Sequence, residues 1–160
     1  MRTTRELVEA RLIFVRNELL EVLKRLDPSM TTWAPAEGMR TIGGQIFEIA
    51  ASELQVVLVL KEGRFISDED VSERVGGKED LPRLLDFLDK VRQETLTYLQ
   101  GLSDEDLDVE ITLPGWHEAI GLPSVPRSEV FRGIAQHEGY HTGQLVSYLW
   151  ARGDNPYKWD

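Results

Sequence analysis

The amino-acid sequence predicts an all-α protein built as a four-helix bundle, and three observations lead there. Apolar residues recur at spacings of three and four through four separate segments. Nowhere do they alternate over the length of a strand. Residues that start and stop helices stand at the segment ends. Each segment has one apolar face, and four helices of about twenty residues bury such faces by packing together.

The first segment carries Val8, Leu12, Val15, Leu19, Val22 and Leu26 along one stripe and stops before Asp27-Pro28, because proline cannot extend a helix. The second runs from about Thr41 to Glu62, with Ile42, Ile46, Ile49, Val56 and Leu60 on a face, and ends near Gly63. The third begins at Asp80-Leu81-Pro82, a cap with proline in the first turn. Its stripe is Leu81, Leu84, Leu88, Val91, Thr95, Leu99 and Leu102. The fourth opens near Pro126, runs to about Arg152, and meets a stop signal at Gly153. Its stripe reads Val130, Ile134, His137, His141, Leu145 and Tyr148, so two histidines stand within an apolar face.

The connections are moderate in length. Residues 28 to 40 contain Trp33 and Pro35, and residues 63 to 79 are polar and flanked by glycines. Between Leu102 and Val125, Ser103-Asp104-Glu105-Asp106 fits one short helical turn, followed by Pro114-Gly115-Trp116-His117. No internal repeat or linker divides the 160 residues, which read as a single domain over 1–160.

Composition narrows the function. There are no cysteines, so thiolate metal sites and cysteine nucleophiles are excluded, and a metal must be held by imidazole and oxygen. Net charge is -10, which disfavours nucleic acid and anionic membrane surfaces as partners. The longest apolar stretch, Val56 to Leu60, is too short to cross a bilayer, and the N-terminus lacks the apolar run of a signal peptide. A cytoplasmic protein is expected.

His137 and His141 are four residues apart, one turn on the same helix face, and can chelate one ion. At least one further ligand is then needed from a facing helix. Neutral imidazole suits zinc, nickel, copper or iron. Interior histidines are also often simply hydrogen-bonded, but an unpaired buried imidazole is costly. His137-Glu138-Gly139-Tyr140-His141 also matches H-E-x-x-H, the zinc-peptidase signature with glutamate as general base. The extended form of that signature needs a glycine where Gln144 stands and a histidine where Ser147 stands. The peptidase reading is therefore a minor alternative, which leaves Glu138 as a polar residue on the helix flank.

His137-Glu138-Gly139-Tyr140-His141-Thr142-Gly143-Gln144-Leu145, with Gly153 and Pro156 after it, resembles the last helix of the DinB superfamily. Trp33-Ala34-Pro35 with Met39-Arg40-Thr41-Ile42-Gly43 resembles that family's entry into its second helix. The resemblance implies a four-helix bundle with a crossover connection, pairing as a homodimer, and a metal site of three histidines. His137 and His141 take the two fourth-helix positions, and the second-helix position is occupied by Glu48. The implied site is thus two histidines and one carboxylate. Glu48 shares a strip with Thr41, Gln45, Ser52 and Gln55, which reads equally as a solvated face. Glu53, on the Ile46-Ile49-Val56 stripe, is the second carboxylate candidate.

Two functions follow from the resemblance. One is a metal-dependent enzyme, a transferase of low-molecular-weight thiols or a hydrolase, whose divalent ion (zinc, nickel or iron) acts on a small-molecule substrate or thiol. Glu138 and His117 are the candidates for a general base. The other is a metal-free binding or stress-response protein without catalysis, with Trp33, Trp116, Tyr140 and Tyr148 lining a pocket.

Overall fold

Helix α1 (Thr4–Leu23) starts where the Thr3 hydroxyl accepts from the Glu6 amide while the Glu6 carboxylate receives the Thr3 amide, a reciprocal cap. Helix α2 (Ile42–Glu62) starts with Thr41 capping Gly44 and ends on Gly63, whose φ of 63° places it in the left-handed region. In the computed structural model, which describes residues 1–113 and 121–159, these are followed by α3 (Asp68–Val75), α4 (Leu81–Gln100), α5 (Asp104–Leu107) and α6 (Arg127–Ala151). Two-residue strands β1 (Glu110–Ile111) and β2 (Val125–Pro126) pair antiparallel just ahead of α6.

The long helices α1, α2, α4 and α6 form the bundle. Side-chain bonds fix their directions. Arg5 reaches the Leu102 carbonyl and Arg16 the Leu88 carbonyl, so α1 and α4 are antiparallel. Arg16 meets Glu138 and Arg25 meets Asp154 beyond the end of α6, so α1 and α6 are parallel. Glu53 meets Arg92, and the Leu60 carbonyl receives the Tyr98 hydroxyl, so α2 and α4 are parallel. Parallel successive helices require the chain to return along the bundle between them, which is the crossover connection. That return contains α3, whose Val71 and Val75 join Ile66 in the core. The sequence expected only a polar connection here, because three apolar residues over so short a span are too few to show a period.

Two other expectations shift. The first helix ends at Leu23 and leaves Leu26 on the following turn, still packed against the core. On α2 the core face is Ile42, Ile46, Ile49, Ala50, Leu54, Val57 and Leu58, while Val56 and Leu60 are only half-buried. α2 has the length and apolar composition of a membrane-crossing helix, but most of its apolar window is buried inside the bundle.

Candidate metal centre

α2 and α6 cross with their site residues opposed. Glu48 stands one turn after Gln45 on α2, and His137 and His141 stand one turn apart on α6. The structure brings Glu48, His137 and His141 together, with one ligand atom from each lying within 4.8 Å of the others. The two Nε2 atoms face each other at 3.1 Å. Two ligand nitrogens each about 2.1 Å from a tetrahedral ion lie about 3.4 Å apart, so the imidazole pair is already near chelating separation.

The orientation of His141 is fixed from behind. Its Nδ1 meets Gln45 Oε1 at 2.5 Å and Gln144 Oε1 at 2.9 Å. The Gln45 amide nitrogen donates to the Tyr148 hydroxyl, which donates in turn to the Arg40 carbonyl. The direction of this chain leaves the Gln45 oxygen as an acceptor, so Nδ1 of His141 carries the proton. Its Nε2 lone pair then points at the site. Burial pushes His137 below the ordinary histidine value, with Arg40 adding to the shift and Glu48 opposing it. His141 is lowered by burial and then by His137, against the Gln144 hydrogen bond and Glu48. Both shifts favour the neutral ring, the form that ligates.

Glu48 is half-buried, and its Oε2 pairs with Arg40 Nη2 at 3.2 Å. Gln45 on the same strip is buried, so this part of α2 faces α6. Two neutral imidazoles with convergent nitrogens and one carboxylate match the donor chemistry of zinc, nickel or iron. The residues present fit a divalent ion.

Glu53 and Glu138 have another role. Both are 1% exposed, in a buried ring of four charges made by Arg16 of α1, Glu53 of α2, Arg92 of α4 and Glu138 of α6. Arg16 Nε donates to Glu138 Oε1 at 2.8 Å and Arg92 Nε to Glu53 Oε1 at 2.8 Å. Arg16 Nη2 closes onto Glu53 at 3.3 Å and Arg92 Nη2 onto Glu138. The remaining guanidinium nitrogens reach the Leu88 and Leu12 carbonyls. Desolvation alone would lower the Arg92 pKa, but its bonds to Glu53 and Glu138 raise it, so the Arg92 guanidinium stays charged. Glu53 is thus bound by two arginines rather than offered to a metal. Glu138 is a core residue bound in the same way, neither a polar flank nor a free base for the peptidase pattern.

Beside the centre, a cavity of about 900 Å³ runs between α2 and α6. Its walls include Ile49, Val56, Val59, Leu60, Val130 and Ile134, with His137 at one end and Arg127 also on its lining. Trp33, Tyr140 and Tyr148 do not line it: Tyr140 is exposed, and Trp33 stacks edge-on against the buried Tyr148 at 6.0 Å. Trp116 and His117 lie outside the described residues.

Sequence reasoning missed Arg16, Arg92, Gln45 and Arg40. A signal for the arginines was present, since Arg16 falls four after Leu12 and Arg92 four after Leu88, inside apolar stripes. Gln45 sits on the Glu48 strip, where only the partner helix distinguishes a buried amide from a solvated one.

Comparison with known proteins agrees with this architecture. A crystal structure of a conserved protein from Enterococcus faecalis is similar with a TM-score of 0.72 and 16% identity, covering 96% of this chain and 99% of that one. No curated protein matched the sequence. The model of the DinB superfamily matches residues 11–145. The chain belongs to the DinB superfamily.

Proposed function

We propose that this chain is a metal-dependent enzyme acting on a small molecule, a transferase of low-molecular-weight thiols or a hydrolase. One observation carries the reading. Glu48, His137 and His141 converge, and His137 also lines one end of an apolar cavity large enough for a small substrate. A divalent ion held there would favour the anionic form of a bound thiol or water. With a carboxylate in the donor set, the site carries less positive charge than three histidines would give.

The chain's own residues do the rest. Gln45 and Tyr148 hold His141 in the ligating tautomer. Arg40 neutralises Glu48 until the carboxylate is needed. The α2 and α6 walls exclude water from the substrate's apolar part. The protein is proposed to work in the cytoplasm and as a homodimer. Exposed Leu7, Ile13, Phe14 and Leu20 on α1 offer the apolar surface for pairing, whereas the second and third stripes are mostly buried in the bundle. Sedimentation at twice 18.3 kDa is the expected result, and a monomer at micromolar concentration would sink the dimer.

The test is equilibrium dialysis of tag-free protein against zinc, nickel and iron, with metal read by mass spectrometry. The wild type should take one equivalent, and His137→Ala and Glu48→Ala should each weaken binding at least tenfold. The Glu48–Arg40 ion pair favours a second reading, a metal-free binding protein, and a wild type that cannot be loaded would establish that reading instead.

A further inference from the structure

The cavity has two chemically different ends. The α6 residues lining it are Arg127, Val130, Gly133, Ile134, His137 and Glu138, a single stripe. Ten residues separate Arg127 from His137, so at 1.5 Å per residue the stripe is about 15 Å long. α2 runs antiparallel beside it, with Ser52 near the histidine end and Gly63 toward the arginine end. Between the ends the lining is largely aliphatic.

Charge is distributed unevenly along this cavity. Glu53 and Glu138 also line it, but Arg16 and Arg92 match them one for one. Arg127 has no such close match: among the described residues it makes no ion pair, and its charge acts on the Asp106 carboxylate only at a distance, as the weakest influence on that group. Its Nη1 donates to the Asp106 carbonyl at 2.9 Å, while the Asp106 carboxylate is spent on the Ser103 amide and hydroxyl. The Nε of Arg127 is buried and has no hydrogen-bond partner among the described residues. A buried donor of this kind is costly unless an acceptor completes it. With Nη1 occupied, the Nε edge of the guanidinium remains, and that edge suits a planar carboxylate.

The geometry points to an elongated, apolar-bodied carboxylate as the ligand of this cavity, its anionic end on Arg127 and its opposite end at His137. The arginine end stands on its own observations, whereas naming the histidine end as the reacting end rests on the metal-enzyme reading above. A medium-chain fatty carboxylate has this chemistry. A cationic or uncharged molecule of the same length would leave the Nε unpartnered.

Calorimetric titration of the chelator-treated and the zinc-loaded full chain with decanoate, decanol and decylammonium tests this. Decanoate should bind at least tenfold more tightly than either of the others, about the scale of one hydrogen bond to a charged group. Arg127→Gln should bring decanoate down to the decanol level, with helicity checked by circular dichroism. Val59→Trp, which fills the cavity and leaves Arg127 in place, should abolish binding. Equal affinity for decanoate and decanol in the wild type would overturn the inference, as would an Arg127→Gln protein that keeps its preference, and neither result depends on a variant's stability alone. A protein that prefers decanoate but binds no metal supports this inference while refuting the metal-enzyme reading. One that binds metal without preferring decanoate refutes this inference alone.

Discussion

Glu138 shows how one residue can carry a familiar motif and a different role. Between two histidines it completes H-E-x-x-H, yet its carboxylate lies in the core against Arg16 and Arg92. Removing one partner of a buried ion pair strands the others, at a cost of about 3 to 5 kcal/mol. Glu138→Ala should therefore unfold at markedly lower denaturant concentration, while a general base would lose activity with little change in stability. A midpoint within error of the wild type would refute the structural role. The two histidines make a prediction about pH. Their folded pKa values lie below the ordinary histidine value, so the fold prefers them neutral. Their contribution to stability is complete above about pH 6.5 and is lost as pH falls through the lowered folded values. Proton resonances of His137 and His141 in metal-free protein should titrate with midpoints below that of a model peptide. A midpoint above it at either ring would contradict the burial argument.

Among the elements, α2 supplies Glu48 and Gln45 to the site, and it is placed by a close backbone approach at its first turn. The Gly43 amide donates to the Thr31 carbonyl at 2.8 Å, and a Cβ at Gly43 would collide with the Lys78 carbonyl and the Thr31 side chain. Backbone cannot yield as a flexible side chain does. Gly43→Ala should cost at least about 1 to 3 kcal/mol by overpacking. It should also weaken metal binding by displacing Gln45 and Glu48, both read by thermal melting and dialysis; an unchanged melt would refute the close approach. The cap at Asp80 and the start of α2 near Thr41 were legible in the sequence because each is a local event. The burial of Val71 and Val75 on α3 was not, because it depends on where the crossover lies against the bundle.

For the whole molecule, the four long helices and the histidine pair could be read from period and spacing alone. The third candidate ligand was reached through resemblance, since the strip of Thr41, Gln45 and Glu48 reads the same whether water or α6 faces it. The parallel run of α2 and α4 was likewise outside local pattern, because direction is set by contacts such as Glu53 to Arg92, 39 residues apart. One consequence of the charge ring concerns assembly. Each long helix supplies one member, two positive and two negative, so any three helices gathered without the fourth enclose an odd charge. Sliding a single helix by a turn does the same. The ring therefore works as a checksum on the bundle, penalising partial and misregistered packings that apolar stripes alone would tolerate. Unfolding should be one concerted transition, with fluorescence and circular dichroism midpoints coinciding, and replacing the ring with aliphatic residues should separate them before it lowers either.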